Sequence, residues 1–157
     1  MAYVSLDSDQ IKKAHKKHKY TKEQVEQLEK CMDDKTGPLF FMKTFMKIQH
    51  PTKGEMAFVP YPYQERLIEA YNNHRFSISM LPRQTGKTTC ASGYLIWYAM
   101  FKPDSQILIA AHKYAGASDI MSRVRYAYEM LPSWIKAGVT QYNRNSIEFD
   151  NGSKIMA

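Results

Sequence analysis

The sequence is short of three things: cysteine, long apolar runs and, at one position, a glycine. Among 157 residues there are two cysteines, Cys31 and Cys90, far apart and without C-x-x-C spacing. This excludes a disulfide framework and a cysteine zinc site, and it fits a reducing compartment. No apolar run approaches the roughly 20 residues that a membrane span needs. The start of the chain is polar with no apolar core, so no secretory leader is expected. Internal repeats and low-complexity linkers are absent. The missing glycine belongs to Met80-Leu81-Pro82-Arg83-Gln84-Thr85-Gly86-Lys87-Thr88-Thr89-Cys90. A strict P-loop reads G-x-x-x-x-G-K-[ST], and here Leu81 stands where the first glycine belongs.

What is present is a globular composition with a net charge of +7. The charge favours an anionic partner such as nucleic acid, although much of the excess lies near the start. Ile11 to Lys22 is a basic run, read as a solvated, poorly ordered arm over residues 1–20, with a specific DNA-binding arm as the other reading. His15 and His18 have no further ligands nearby and make no metal site. Thr21, followed three residues later by Gln24, is a capping box, and Val25, Leu28 and Met32 continue at helical spacing. A helix is expected over Lys22–Met32. Pro38 suits the first turn of a second helix, apolar on most faces from Leu39 to Met46. A turn at residues 50–54, a short extended piece at Ala57–Val59 and a helix over Tyr63–Asn72 follow.

The next segments frame the loop. Phe76-Ser77-Ile78-Ser79-Met80 alternates and is expected to be a strand. Lys87 to Phe101 is expected to be a helix. Gln106 to Ala111 is a near-continuous apolar run, as in a strand covered on both faces. Ser118 to Leu131 reads as a helix with Ile120, Met121, Val124 and Ala127 facing inward, stopped by Pro132. Ser146–Asp150, Asn151-Gly152 and Ser153–Ala157 read as a β-hairpin.

Strand, loop and helix in that order are what phosphate binding needs. Backbone N–H groups at a helix start, with the helix dipole, favour an anion. Gly86 permits close approach and a positive φ. Lys87 is placed for the β and γ phosphates, and the Thr88 hydroxyl for Mg²⁺. The competing reading is a Gly-Lys-Thr that merely begins a helix. Arg83 either offsets charge beside the γ-phosphate or points to solvent. The amide of Gln64 has the donor and acceptor that an adenine edge offers, but on the residues alone it reads as an ordinary surface glutamine.

Several segments together resemble the large terminase subunit of tailed bacteriophages. They are Tyr63-Gln64-Glu65-Arg66, the run Arg83 to Thr89, Ala111-His112-Lys113, Met130-Leu131-Pro132 and Ser146 to Ser153. A P-loop opening on Arg-Gln resembles the family's own variant. The resemblance implies an α/β fold: a P-loop NTPase (ASCE/RecA-like) core with a parallel sheet, incomplete here, with N-terminal helices and a C-terminal β-hairpin. It implies ATP and Mg²⁺ as cofactors. Arg83 and Lys87 would be catalytic; Gln64, Gln84, Thr85, Gly86, Lys87, Thr88 and Thr89 would bind nucleotide, with Gln64 on adenine and Thr88 on the metal. Ala111-His112-Lys113 would lie toward DNA or form a plain polar turn. Double-stranded DNA, a portal protein and a small terminase subunit are the implied partners. A homo-oligomeric ring acting in the host cytoplasm at the procapsid portal, with no membrane, is the implied setting.

One departure shapes the expectation. A P-loop ATPase needs a strand ending in an Asp for Mg²⁺ and then a Glu that activates water. Glu148-Phe149-Asp150 does not qualify, because it runs into the Asn151-Gly152 turn. Residues 21–157 are therefore expected to be the N-terminal half of the ATPase domain, without the acidic pair or a nuclease domain. A helicase-like P-loop motor and a basic DNA-binding module with an incidental Gly-Lys-Thr are the alternatives.

Overall fold

In a computed structural model, described over residues 10–50, 52 and 54–157, the chain is a mixed α/β fold. Residues 1–9 of the expected arm, and Pro51 and Lys53 of the expected turn, lie outside the described residues. The order is α1 (Lys22–Met32), α2 (Gly37–Phe45), β1 (Lys47–His50), β2 (Gly54–Ala57), α3 (Pro62–Asn73), α4 (Lys87–Phe101) and β3 (Gln106–Leu108). It continues with α5 (Tyr114–Glu129), β4 (Val139–Tyr142), β5 (Ser146–Phe149) and β6 (Lys154–Met156).

Local chemistry accounts for the helix starts. At α1 the Thr21 hydroxyl accepts from the Gln24 N–H (3.3 Å), and the Gln24 side chain accepts from the Thr21 N–H (3.0 Å). This reciprocal pair satisfies two of the donors that a helix start leaves free. Pro38 sits in the first turn of α2, where its missing N–H costs nothing.

The core is organised around α4, which packs on α2, α3 and α5. Trp97 is fully buried and its indole N–H donates to the Cys31 carbonyl at 2.8 Å. Phe41, Met42, Ile96, Met121 and Val124 belong to the same buried cluster. At Gly93 a Cβ would lie 2.5 Å from both Met42 Cε and Met46 Sδ, so the absent side chain lets α2 approach α4. Both cysteines are free and buried; burial pushes the Cys31 thiol up to about 12 and the Cys90 thiol up to about 11.

The strands depart from a parallel-sheet core. β1 and β2 form an antiparallel pair. The main sheet has the order β3-β6-β5-β4, with β3 and β6 parallel and the other two pairings antiparallel. The Asn151-Gly152 hairpin is present: Glu148 faces Lys154, and Gly152 takes φ +83°. β4 joins it as a third antiparallel strand that the sequence reading did not anticipate.

Phe76 to Met80 forms no strand. Phe76, Ile78 and Met80 are 81%, 96% and 95% exposed. Alternation makes a segment suited to a sheet, but a strand needs a neighbour for its N–H and C=O groups. Among the described strands none pairs with this segment. The expected cover over both faces of 106–111 also fails. The strand is only Gln106–Leu108, and Leu108 is 72% exposed. α5 begins at Tyr114, four residues before its expected start.

These apolar side chains carry a solution consequence. Unpaired backbone and exposed large apolar groups promote association. The isolated chain is expected to self-associate in light scattering coupled to gel filtration, and serine at Phe76, Ile78 and Met80 to reduce it. A monomer with a sharp cooperative melt contradicts this.

Residues 11–15 of the basic arm do not stand off in solvent as expected. Ile11 is buried, Lys13 bridges to Val139 in parallel register, and the His15 N–H donates to Asp150 at 2.9 Å. Lys12 Nζ donates to the Lys136 carbonyl at 2.8 Å. Residues 16–20 are exposed and irregular.

Candidate nucleotide-binding loop

The loop from Pro82 to Gly86 enters α4 through a turn with two residues in the left-handed region. Gly86 is the N-cap of α4 at φ +74°, and Gln84 takes φ +62°. Only glycine holds that region without a steric penalty. The Gly86 carbonyl accepts the first helical bond, from the Cys90 N–H at 3.0 Å.

The side chains of the loop fold back on its own entry. Lys87 Nζ donates to the Pro82 carbonyl at 3.2 Å, and the Thr85 hydroxyl donates to the same carbonyl at 3.1 Å. The chain therefore closes on itself between Pro82 and Lys87, with the ammonium held across the opening. Pro82, Arg83, Gln84 and Lys87 are exposed; Thr85, Gly86, Thr88 and Thr89 are half-buried. Thr88 and Thr89 lie in the first turn of α4.

A second helix start meets the loop from the side. Gln64 lies in the first turn of α3 and is buried, at 6% exposure, so it is not the ordinary surface glutamine that its residue type suggested. Its Oε1 accepts from the Tyr61 N–H at 2.9 Å and its Nε2 donates to the Thr85 carbonyl at 3.0 Å. The Tyr63 hydroxyl donates to the same carbonyl at 2.9 Å. Further along, the Tyr94 hydroxyl donates to the Tyr71 carbonyl at 3.2 Å and the two rings lie 5.6 Å apart. Contacts near both starts and again two turns later mean that α3 and α4 run side by side in the same direction. Their N-termini converge; the start of α3 is capped, with the Gln64 N–H on the Tyr61 carbonyl at 2.8 Å and the Tyr61 N–H on Gln64, so the free N–H groups and their partial positive charge belong to the start of α4. With the Lys87 ammonium, this makes the loop suited to an anion of several charges.

The remaining named segments lie elsewhere. Ala111, His112 and Lys113 are exposed between β3 and α5, and Lys113 is the N-cap of α5. Leu131 is buried just beyond α5. Glu148 pairs with Lys154 at 2.5 Å, and Asp150 accepts from the His15 N–H. Both carboxylates thus hold the hairpin and the arm. Thr89 also borders a separate cavity of about 490 Å³ between β1, α4 and α5. Tyr63 and the Pro82 carbonyl were missed as parts of the loop's frame. The signal for Tyr63 was its place beside Gln64 in the first turn after Pro60 and Pro62; a carbonyl acceptor leaves no signal.

A comparison with protein families places the loop in a known setting. The family model described as "Terminase large subunit, T4likevirus-type, N-terminal" matches residues 78–157. The match covers the second half of the chain, from the extended segment through the loop and α4 to β6, and begins after Gln64. The carriers of the sequence resemblance from Arg83 onward all fall inside it. The chain belongs to the phage terminase large-subunit family, T4-like type.

Proposed function

We propose that this chain is an ATP-binding portion of a DNA-packaging motor. The observation that carries the reading is the closed loop at the start of α4. Gly86 turns left-handed, Lys87 reaches back to Pro82, and a second helix N-terminus converges beside it. A triphosphate entering would exchange for the Pro82 carbonyl as the partner of Lys87. The backbone N–H groups opening α4 would contact its oxygens. Family membership supports the assignment, because it places this loop in a terminase.

The roles follow from position. Lys87 binds the β and γ phosphates. Thr88 offers a neutral hydroxyl oxygen in the first helical turn, the kind of ligand that Mg²⁺ accepts beside phosphate, and Mg²⁺ would there neutralise phosphate charge. Gln84, Thr85, Gly86 and Thr89 supply the rest of the cradle. Arg83, exposed on the turn, is free to swing toward the γ-phosphate and offset charge that develops during transfer. The intact motor would couple ATP hydrolysis to translocation of double-stranded DNA into a procapsid and cut concatemeric DNA. It would work as a ring with a portal protein and a small terminase subunit, in the host cytoplasm. Among the described residues no helix is long and apolar enough to cross a membrane.

Titration of the purified chain with Mg·ATP tests the binding step. Saturable binding is expected, and Lys87→Ala is expected to weaken it at least about 30-fold, since charge-assisted bonds to phosphate are the strong ones. No steady-state hydrolysis is expected from this chain, because Glu148 and Asp150 are engaged elsewhere. Binding that ignores Lys87→Ala, or turnover sensitive to it, contradicts the reading.

A further inference from the structure

We propose that a cavity between α5 and the β4–β5 turn holds a backbone phosphate of duplex DNA, with Arg144 as its main contact. This deepens the DNA-motor reading and rests on it for the identity of the polyanion. None of the residues belongs to the phosphate loop.

The cavity has a volume of about 380 Å³, and its polar lining is Tyr114, Ser118, Asp119, Ser122, Arg125 and Arg144. Tyr114, Ser118, Ser122 and Arg125 recur every three or four residues, so α5 turns them to one side. Arg144 arrives from a different element. Its turn is closed by the Asn143 N–H on the Ser146 carbonyl at 2.8 Å. Asn145 Nδ2 ties that turn to α5 by donating to the Tyr114 hydroxyl at 2.7 Å. The hydroxyl accepts there, so its own proton is left to donate.

Charge decides what the cavity takes. Asp119 is matched by Arg123 at 3.2 Å, and Glu129 stands 3.9 Å from Arg125. Arg125 is held over the Tyr142 ring, 5.1 Å from its centroid, and its Nε is buried without a partner. Arg144 is exposed and makes no ion pair or hydrogen bond among the described residues. Three arginines thus face two carboxylates, and one positive charge is left over. A phosphodiester carries one negative charge, with oxygens for a guanidinium fork and for hydroxyl donors. The mouth is open: Ser122 and Arg144 are exposed, and Tyr114 is 63% exposed. A phosphate that stays part of a long duplex can therefore reach it. Lys113, exposed beside Tyr114, adds a further cation along the rim.

Duplex binding by the whole chain is measured by fluorescence anisotropy at salt from about 50 to 200 mM, with Mg·ATP titration of the same samples. Arg144→Ala is expected to weaken duplex binding about 5- to 10-fold near 0.1 M salt. It is also expected to make the slope of log affinity against log salt shallower by about 0.9, as one lost phosphate contact does. Its Mg·ATP affinity is expected to match wild type. Lys35→Ala removes an equal charge from the α1–α2 turn, outside the cavity, and is expected to change the slope much less. An unchanged slope in Arg144→Ala, or an equal change in Lys35→Ala, overturns the proposal, and so does a wild type that binds no duplex. Failure to bind Mg·ATP strikes the phosphate-loop reading alone, and the duplex slope still judges the cavity. Inorganic phosphate is the other arm. If it saturates the amide shifts of Ser118 and Ser122 at submillimolar concentration while duplex leaves them unmoved, the cavity takes free phosphate and the proposal is overturned. Should Arg144→Ala fail to fold, Ser122→Asp places a carboxylate in the cavity and is expected to weaken duplex binding at least as much; wild-type affinity in that variant overturns the proposal.

Discussion

Gly86→Ala is expected to cut Mg·ATP affinity by about 30- to 100-fold while leaving the fold in place. Two costs combine. An alanine at φ +74° meets the left-handed penalty of roughly 1–2 kcal/mol. Its Cβ would also sit 2.6 Å from Gln64 Nε2, so the amide must leave the Thr85 carbonyl or the loop must shift. Losing that bond adds about 1 kcal/mol. The free alanine loop relaxes out of the left-handed turn to escape both, and restoring that turn on binding weakens affinity by the stated range, at roughly 1.4 kcal/mol per tenfold. The fold survives because the loop lies at the edge of the core and Cys90 to Phe101 pack independently of it. Calorimetric titration against Mg·ATP, with a thermal melt of the same sample, makes the measurement. The control has the opposite sign. Gln84 also sits at positive φ, +62°, so Gln84→Gly is expected to relieve strain and raise the melting temperature.

Trp97→Ala is expected to have the largest effect on stability. Trp97 is fully buried in α4 and packs against Tyr94 and Phe101, with ring centroids at 5.7 and 6.4 Å. Truncating a buried tryptophan costs about 3–5 kcal/mol. The Cys31 carbonyl, which accepts from the indole N–H, is left without that donor, for about 1–3 kcal/mol more. Domains of this kind are stable by only about 5–15 kcal/mol. The variant should therefore be largely unfolded, or melt far below wild type, in urea and thermal denaturation followed by circular dichroism. Trp97→Phe keeps the apolar volume but not the N–H, and is expected to fall between the two. A Trp97→Ala melt close to wild type would mean that α4 is not the centre of the core.

What the sequence revealed divides along a physical line. Features decided within a few residues were legible. The Thr21–Gln24 box marked the start of α1, Gly86-Lys87-Thr88 marked the start of α4, and Asn151-Gly152 marked the hairpin. Features decided by distant partners were not. Phe76 to Met80 alternates as a strand does, yet no described strand pairs with it. Gln106 to Ala111 reads as doubly covered, yet Leu108 is exposed. The arm reads as solvated from its charge, yet Ile11 inserts into the core and Lys13 pairs with Val139, more than a hundred residues away. Gln64 is the clearest case in the candidate site. The donor and acceptor of its amide were legible, but its burial follows from a carbonyl at Thr85, which no residue letter encodes.

The central claim is that Thr85 to Thr89 form a cradle of backbone N–H groups for a triphosphate, with Lys87 across its mouth. Backbone ¹H–¹⁵N spectra recorded during a Mg·ATP titration test it most directly. The account predicts saturable shifts concentrated at the amides of Thr85, Gly86, Lys87, Thr88 and Thr89, with the Lys87→Ala spectrum unmoved at the same concentrations. Saturable shifts that spare these five amides, or none anywhere at millimolar Mg·ATP, would contradict it.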